Sequence, residues 1–155
     1  MNYQPKTYRK QGGDELVVAN GGAITIEPGG KIQSPDGSVI ADLKRYQHKQ
    51  VADISAEATY YMTARYAGKI TKLSSITDGA VGTADVTATF SINGVAVTNG
   101  VLTIATAGSA AGDQDEVVPT AANTVAIGDV ISFVVTGGGA GGSPRAEFTA
   151  EITAQ

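Results

Sequence analysis

The chain has 155 residues, enough for one hydrophobic core with a tail or small subdomain and too few for two full domains. Apolar residues make up 42 %, only 17 % are charged and 20 residues are glycine, the composition of an all-β protein with many turns. The absence of cysteine and the single histidine exclude a disulfide framework, a thiolate metal site and a multi-histidine metal centre, so no cofactor is expected.

The net charge of −4 is unevenly spread: residues 1–50 carry seven Lys/Arg against five Asp/Glu, and residues 51–155 carry four against ten. An acidic body lacks the basic face that displaces counterions from phosphates, so no direct nucleic-acid partner is expected. The more basic front end suits docking on an acidic protein surface. The start MNYQPKTYRK is polar, and no apolar run approaches the ~20 residues that span a bilayer. The expectation is a product made in the cytoplasm, with no leader and no membrane partner.

Residues 1–12 have no periodic apolar pattern, and Pro5 among Tyr3, Lys6, Tyr8, Arg9 and Lys10 predicts an extended arm, of a kind that orders on a partner or stays mobile. Residues 13–41 are punctuated by glycine. The doublets Gly12-Gly13, Gly21-Gly22 and Gly29-Gly30 alternate with the apolar positions Leu16/Val18, Ile24/Ile26 and Ile32. Doublets nine and eight residues apart are too closely spaced for full solenoid coils and predict brief strands joined by tight turns. Residues 42–54, DLKRYQHKQVADI, are the most charged stretch, with Leu43, Tyr46, Val51 and Ile54 open to a common side. They predict a short helix capped by Asp42, or an extended linker, and mark a domain boundary.

From residue 55 to 155 the alternation becomes regular. ATYYMTARY, GKITKLSSI, ADVTATFSI, GVAVT, GVLTIAT, DVISFVV and AEFTAEIT are each of strand length. Asn93-Gly94 predicts a two-residue type I′ hairpin, because both residues tolerate the positive backbone angles it requires. Asn99-Gly100 follows as a second joint, too close to allow a long strand between them. In the last strand Ala146, Phe148, Ala150 and Ile152 alternate with Glu147, Thr149, Glu151 and Thr153, which predicts one core face and one solvent face. About seven strands with turn signals every 8 to 12 residues predict an antiparallel β-sandwich of jelly-roll or Ig-like type.

Chemistry is sparse in this chain. A nucleophilic relay would have to use His48, which reads as a solvated side chain of the charged linker. Gly137-x-Gly139-x-x-Gly142 matches a dinucleotide fingerprint in form, but Pro144 and an alternating strand follow where a helix N-terminus is needed, so it reads as an inter-strand loop. Asp113, Asp115 and Glu116 could supply oxygen ligands to calcium, but without a later bidentate glutamate they read as an exposed acidic loop. Tyr60, Tyr61 and Tyr66 fall on two faces of one strand; packing is the simpler reading, and a carbohydrate platform the alternative. No pair of carboxylates stands out for glycoside chemistry, and the chain reads as a non-enzyme.

The front segment YRKQGGDELVVANGGAITIEPGGKI resembles the N-terminal pattern K/R-x-G-G-x-x-L-V-V-x-x-G-G-x-I-x-I-x-x-G-G of tailed-bacteriophage head-fibre and head-decoration proteins. The stretches AGKITKLSSITDGAVGTADVTATFSINGVAVTNGVLTIATAGSAAGD and TAANTVAIGDVISFVV resemble the β-sandwich domain of phage decoration proteins, so the likeness covers roughly residues 8–136. The resemblance implies a structural virion protein bound outside the assembled head, with the major capsid protein as partner. It further implies a homotrimer at three-fold and quasi-three-fold positions, cementing capsomers. Carried onto this chain, it implies that Tyr3, Pro5, Tyr8, Arg9 and Lys10 and the glycine-punctuated residues from Gly12 to Ile32 form the capsid or subunit interface. A receptor- or glycan-binding module of a phage fibre or tail is the alternative.

Overall fold

A computed structural model describes residues 7–9, 16–18, 23–24, 44–139, 142 and 144–154. The chain divides into two compact units, Met1–Ala41 and Asp42–Gln155. No helix occurs among the described residues, and every strand pairing is antiparallel.

In the first unit, β1 (Thr7–Arg9) pairs with β2 (Leu16–Val18) in register Thr7↔Val18, Tyr8↔Val17 and Arg9↔Leu16. The expected boundary between a free arm and the glycine-punctuated strands is therefore crossed by a ladder: Tyr8 and Arg9 belong to a hairpin-like pair. Exchange of backbone hydrogen bonds satisfies peptide groups that an isolated arm would leave to water. Ala23 and Ile24 lie in no strand, contrary to the alternation expected around Ile24.

The second unit is an all-β sandwich. One sheet has the order β4 (Ala58–Thr63), β10 (Val130–Gly137), β6 (Val86–Ile92), β7 (Val95–Ile104). The other runs β3 (Lys44–Val51), β11 (Ala146–Thr153), β5 (Gly68–Thr77), β8 (Gln114–Val117), with β9 (Thr124–Val125) also on β5. Period-two alternation sends Phe90 and Phe133 inward from the first sheet and Phe148 inward from the second. The chain's three phenylalanines are all fully buried, with ring centroids 4.8 Å apart for Phe133–Phe148 and 4.9 Å for Phe90–Phe133. They join the two sheets, flanked by Ile70, Leu73, Ile131 and Ile152. In β11, Ala146, Phe148, Ala150 and Ile152 face this core as the alternation predicted.

Residues 44–54 of the expected helix or linker are neither; Asp42 and Leu43 lie outside the described residues. Lys44–Val51 is the edge strand β3, paired along its length with β11 from Ala146↔Val51 to Thr153↔Lys44, and Val51 and Ile54 are core residues. Charged side chains hid this strand because edge strands are where proteins place charge to block further pairing. The sandwich therefore starts before residue 55. The segment Asp113–Glu116, read as a loop, contributes Asp115 and Glu116 to β8 instead.

Asn93 and Gly94 have φ of 49° and 80°, as a type I′ hairpin requires. The Val130 amide donates to Asn93 Oδ1 (2.9 Å) and Asn93 Nδ2 donates to Asp129 Oδ1 (2.8 Å), tying the turn to the start of β10. Asn99-Gly100 is not a second hairpin. VAVT and VLTI form the single strand β7, and Val97, Thr98, Asn99 and Gly100 bulge opposite Phe90 between the pairs Ser91↔Ala96 and Thr89↔Val101. Asn99 takes a φ of 56°, and a Cβ on Gly100 would sit 2.7 Å from Val97 Cβ, so the bulge requires both residue types. It closes one flank of the sandwich: the Thr98 amide donates to Ala121 O (2.9 Å) and Asn99 Nδ2 to Val118 O (2.7 Å).

The opposite flank is closed by a side chain. Gln47 on β3 donates from Nε2 to Thr63 O, and its Oε1 accepts the Arg65 amide (3.1 Å). One amide therefore clamps the edge of one sheet to the edge of the other.

Candidate functional site

Of the interface residues named from the sequence, Tyr8, Arg9, Leu16 and Val18 lie on the β1–β2 ladder, where Arg9 is paired with Leu16, Tyr8 with Val17 and Val18 with Thr7. Val18 is 38 % exposed and Ile24 52 %, so both offer apolar surface. Tyr3, Pro5, Lys10, Gly12, Gly13, Gly21, Gly22, Ile26, Gly29, Gly30 and Ile32 lie outside the described residues.

The two outer faces of the sandwich differ in kind. The five-stranded sheet carries charge on its outer face, partly paired: Lys44 Nζ lies 3.5 Å from Glu151 Oε1, and Lys72 Nζ 3.1 Å from Glu116 Oε2. Burial pushes the Glu151 carboxyl up, but the Thr71 hydroxyl donating to it at 2.8 Å, the Lys44 charge and the Tyr46 hydroxyl outweigh that and hold it below the ordinary glutamate value.

The four-stranded sheet has no Lys, Arg, His, Asp or Glu in any of its strands. Its outward rungs read Tyr61–Ser132–Ser91, Thr59–Val134–Thr89–Val101 and Thr136–Thr87–Thr103. Tyr61, Val101, Val130 and Val134 expose apolar area on this face, and Thr87 and Thr136 hydrogen-bond to each other at 2.8 Å. A solvent face normally carries charge against edge and face association, so an uncharged sheet of Thr, Ser, Val and Tyr can be covered at little desolvation cost. This signal lies in the sequence as uncharged strand patterns, but charged strands of the other sheet, β5 and β8, separate them along the chain, so only the sheet order brings them onto one face.

A groove of about 530 Å³ opens on the flank where Gln47 joins β3 to β4. Tyr46 and Tyr61 stand on it, 59 % and 64 % exposed. Beyond the end of β4, Tyr66 lies under the Arg45 guanidinium, 4.7 Å from ring centroid to Cζ. Lys49, His48 and Arg65 supply its polar lining, and no carboxylate lines it among the described residues. The register pairs of Arg45, Gln47 and Lys49 on β11 are Ile152, Ala150 and Phe148, all inward residues. Three polar side chains thus occupy the inward side of β3, where it extends past the cover of the other sheet. Tyr60 turns the other way, into the core, and stacks on Phe133 at 5.4 Å, so the three tyrosines expected on one strand divide between core, outer face and a turn.

The other sequence candidates do not assemble. His48 is exposed on β3 opposite Thr149 and lines the groove. Glu116 faces Lys72, whereas Asp115, its neighbour on β8, is paired with the buried Ser75, so these two carboxylates point to opposite sides of the strand. No group of three His, Cys, Asp or Glu capable of holding a metal occurs among the described residues. Burial, then the nearby Asp113 charge, raise the Asp115 carboxyl above the ordinary aspartate value. Gly137, Gly138 and Gly139 lead out of β10 with positive φ, and a Cβ at Gly137 would meet Asp85 O at 2.1 Å, so these glycines are required by backbone packing. No helix of the described residues is long and apolar enough to cross a membrane. Comparison of the chain with family models, curated proteins and solved structures returns no match.

Proposed function

We propose that this chain is a non-enzymatic assembly protein: a decoration protein of a tailed-phage head, bound to the capsid exterior through its N-terminal unit and associated as a homotrimer. The observation that carries the reading is the uncharged outer face of the four-stranded sheet, set against a charged face on the other side of the same sandwich. A sister subunit can cover such a face without stranding ionised groups away from water, the main penalty in burying surface.

The separate first unit supports the same division of labour. Its described ladder joins three residues to three, and a two-stranded sheet is marginal in isolation, so it gains most from a partner surface. The order of glycine doublets and the likeness of the later strands to phage decoration proteins supply the particular partner, the major capsid protein. The test is sedimentation with purified heads lacking this protein. The full chain should co-sediment saturably, and Asp42–Gln155, which keeps the whole sandwich core, should not. Equal binding by both would remove the anchor role from residues 1–41.

A further inference from the structure

We propose that the groove between β3 and β4 is a binding site for a carboxylate-bearing saccharide, an activity separate from attachment to a head. Its volume of about 530 Å³ is that of a small-ligand site, within the usual range of roughly 300–1,000 Å³. Its composition departs from that of the chain around it. Three of the six tyrosines and the single histidine line it together with Lys49 and Arg65, in a protein of net charge −4.

Each group matches one part of such a ligand. The exposed rings of Tyr46 and Tyr61 offer flat faces for the C–H surface of a sugar ring; the Tyr46 hydroxyl is held by Glu151, and the Tyr61 hydroxyl meets the sugar's hydroxyls. Arg65 and Lys49 are the carboxylate partners; a guanidinium can grip both oxygens at once, and charge-assisted bonds are the strong ones. The walls are already fixed. Gln47 spends its amide on Thr63 O and the Arg65 amide, and Arg45 is held over Tyr66, so little ordering remains to be done on binding.

A neutral sugar would leave the cations unused. A nucleic-acid strand needs a basic track several nucleotides long, whereas the surfaces beyond this groove are the uncharged sheet on one side and Glu147 and Glu151 of β11 on the other. A purely structural account of Arg45 and Lys49 also exists, because inward-pointing charge on an edge strand blocks unwanted pairing. That account does not use Arg65 or the tyrosines, so the two separate by experiment.

The test is titration calorimetry of the full chain with tetragalacturonic acid, its fully methyl-esterified form and a short oligothymidylate. The acid should bind, and the ester should bind about tenfold more weakly or not at all, because esterification removes the charge-assisted bonds. Arg65→Ala and Lys49→Gln should each weaken the acid by about tenfold while leaving the thermal midpoint within a few degrees. Lys69→Ala on β5, outside the groove, should change nothing. Absence of binding to the acid, equal binding of acid and ester, preference for the oligothymidylate, or an Arg65→Ala variant of undiminished affinity would each overturn the proposal. All of these readouts use the isolated chain, so none depends on whether it decorates a head.

Discussion

Replacing Phe133 by alanine removes the ring that touches both other phenylalanines and Tyr60, with centroids at 4.9, 4.8 and 5.4 Å. Truncation of a buried phenylalanine costs about 3–5 kcal/mol through lost transfer energy and the cavity left behind. The upper half of that range applies here, because each aromatic pair adds about 0.5–1.5 kcal/mol beyond area burial. A domain of ordinary stability has only about 5–15 kcal/mol to lose. For a unit of roughly 110 residues, an unfolding entropy near 2.1 cal/mol/K per residue converts a 4 kcal/mol loss into a fall of about 17 °C in Tm. Urea and thermal unfolding followed by far-UV circular dichroism measure both quantities, with Tyr61→Ala, on the exposed face, as the control expected to be nearly neutral. A Phe133→Ala loss below about 1 kcal/mol, with unchanged dependence on urea, would refute the view that this cluster joins the two sheets.

Asp115→Asn should raise Tm at neutral pH. The folded carboxyl is raised by burial and by Asp113, so its charged form costs stability as pH rises through the aspartate range, and the gain should vanish in acid where both states are protonated. Glu151→Gln should do the opposite. The folded carboxyl is held low, so its contribution is full above the ordinary glutamate value and fades as pH falls through the folded one; melting curves of both proteins across the acid range should converge. Val134→Lys, at a half-exposed position in the middle of the uncharged face, should alter stability by no more than about 0.5 kcal/mol. Light scattering should nonetheless show it failing to self-associate on or off the particle; an oligomer as tight as the unmodified one would move the subunit contact elsewhere.

The strands with clean alternation were legible because each residue's face follows from its parity alone: Phe148 and Ala150 inward, Glu147 and Thr149 outward. The Asn93-Gly94 hairpin was legible because only a few residue types accept its backbone angles. The charged edge strands were not. β3 is polar on both sides because its inward side meets a groove instead of a core, and β8 is acidic because it too lies at an edge. Asn99-Gly100 has the composition of a turn, yet the same positive φ at Asn99 serves a bulge, and only pairing with Ala121 and Val118 distinguishes the two. The groove was beyond reach for the same reason. Gln47 meets Thr63 and Arg65 across two different sheets, a juxtaposition set by tertiary packing and invisible to local pattern.

The measurement that bears most directly on the central claim is electron cryo-microscopy of purified phage heads lacking this protein, imaged before and after addition of the full chain. The account predicts new density only on the outer surface, three copies grouped about three-fold and quasi-three-fold axes, with the N-terminal unit against the shell and the sandwich outward. Unchanged heads, or density confined to a tail or fibre, would contradict it.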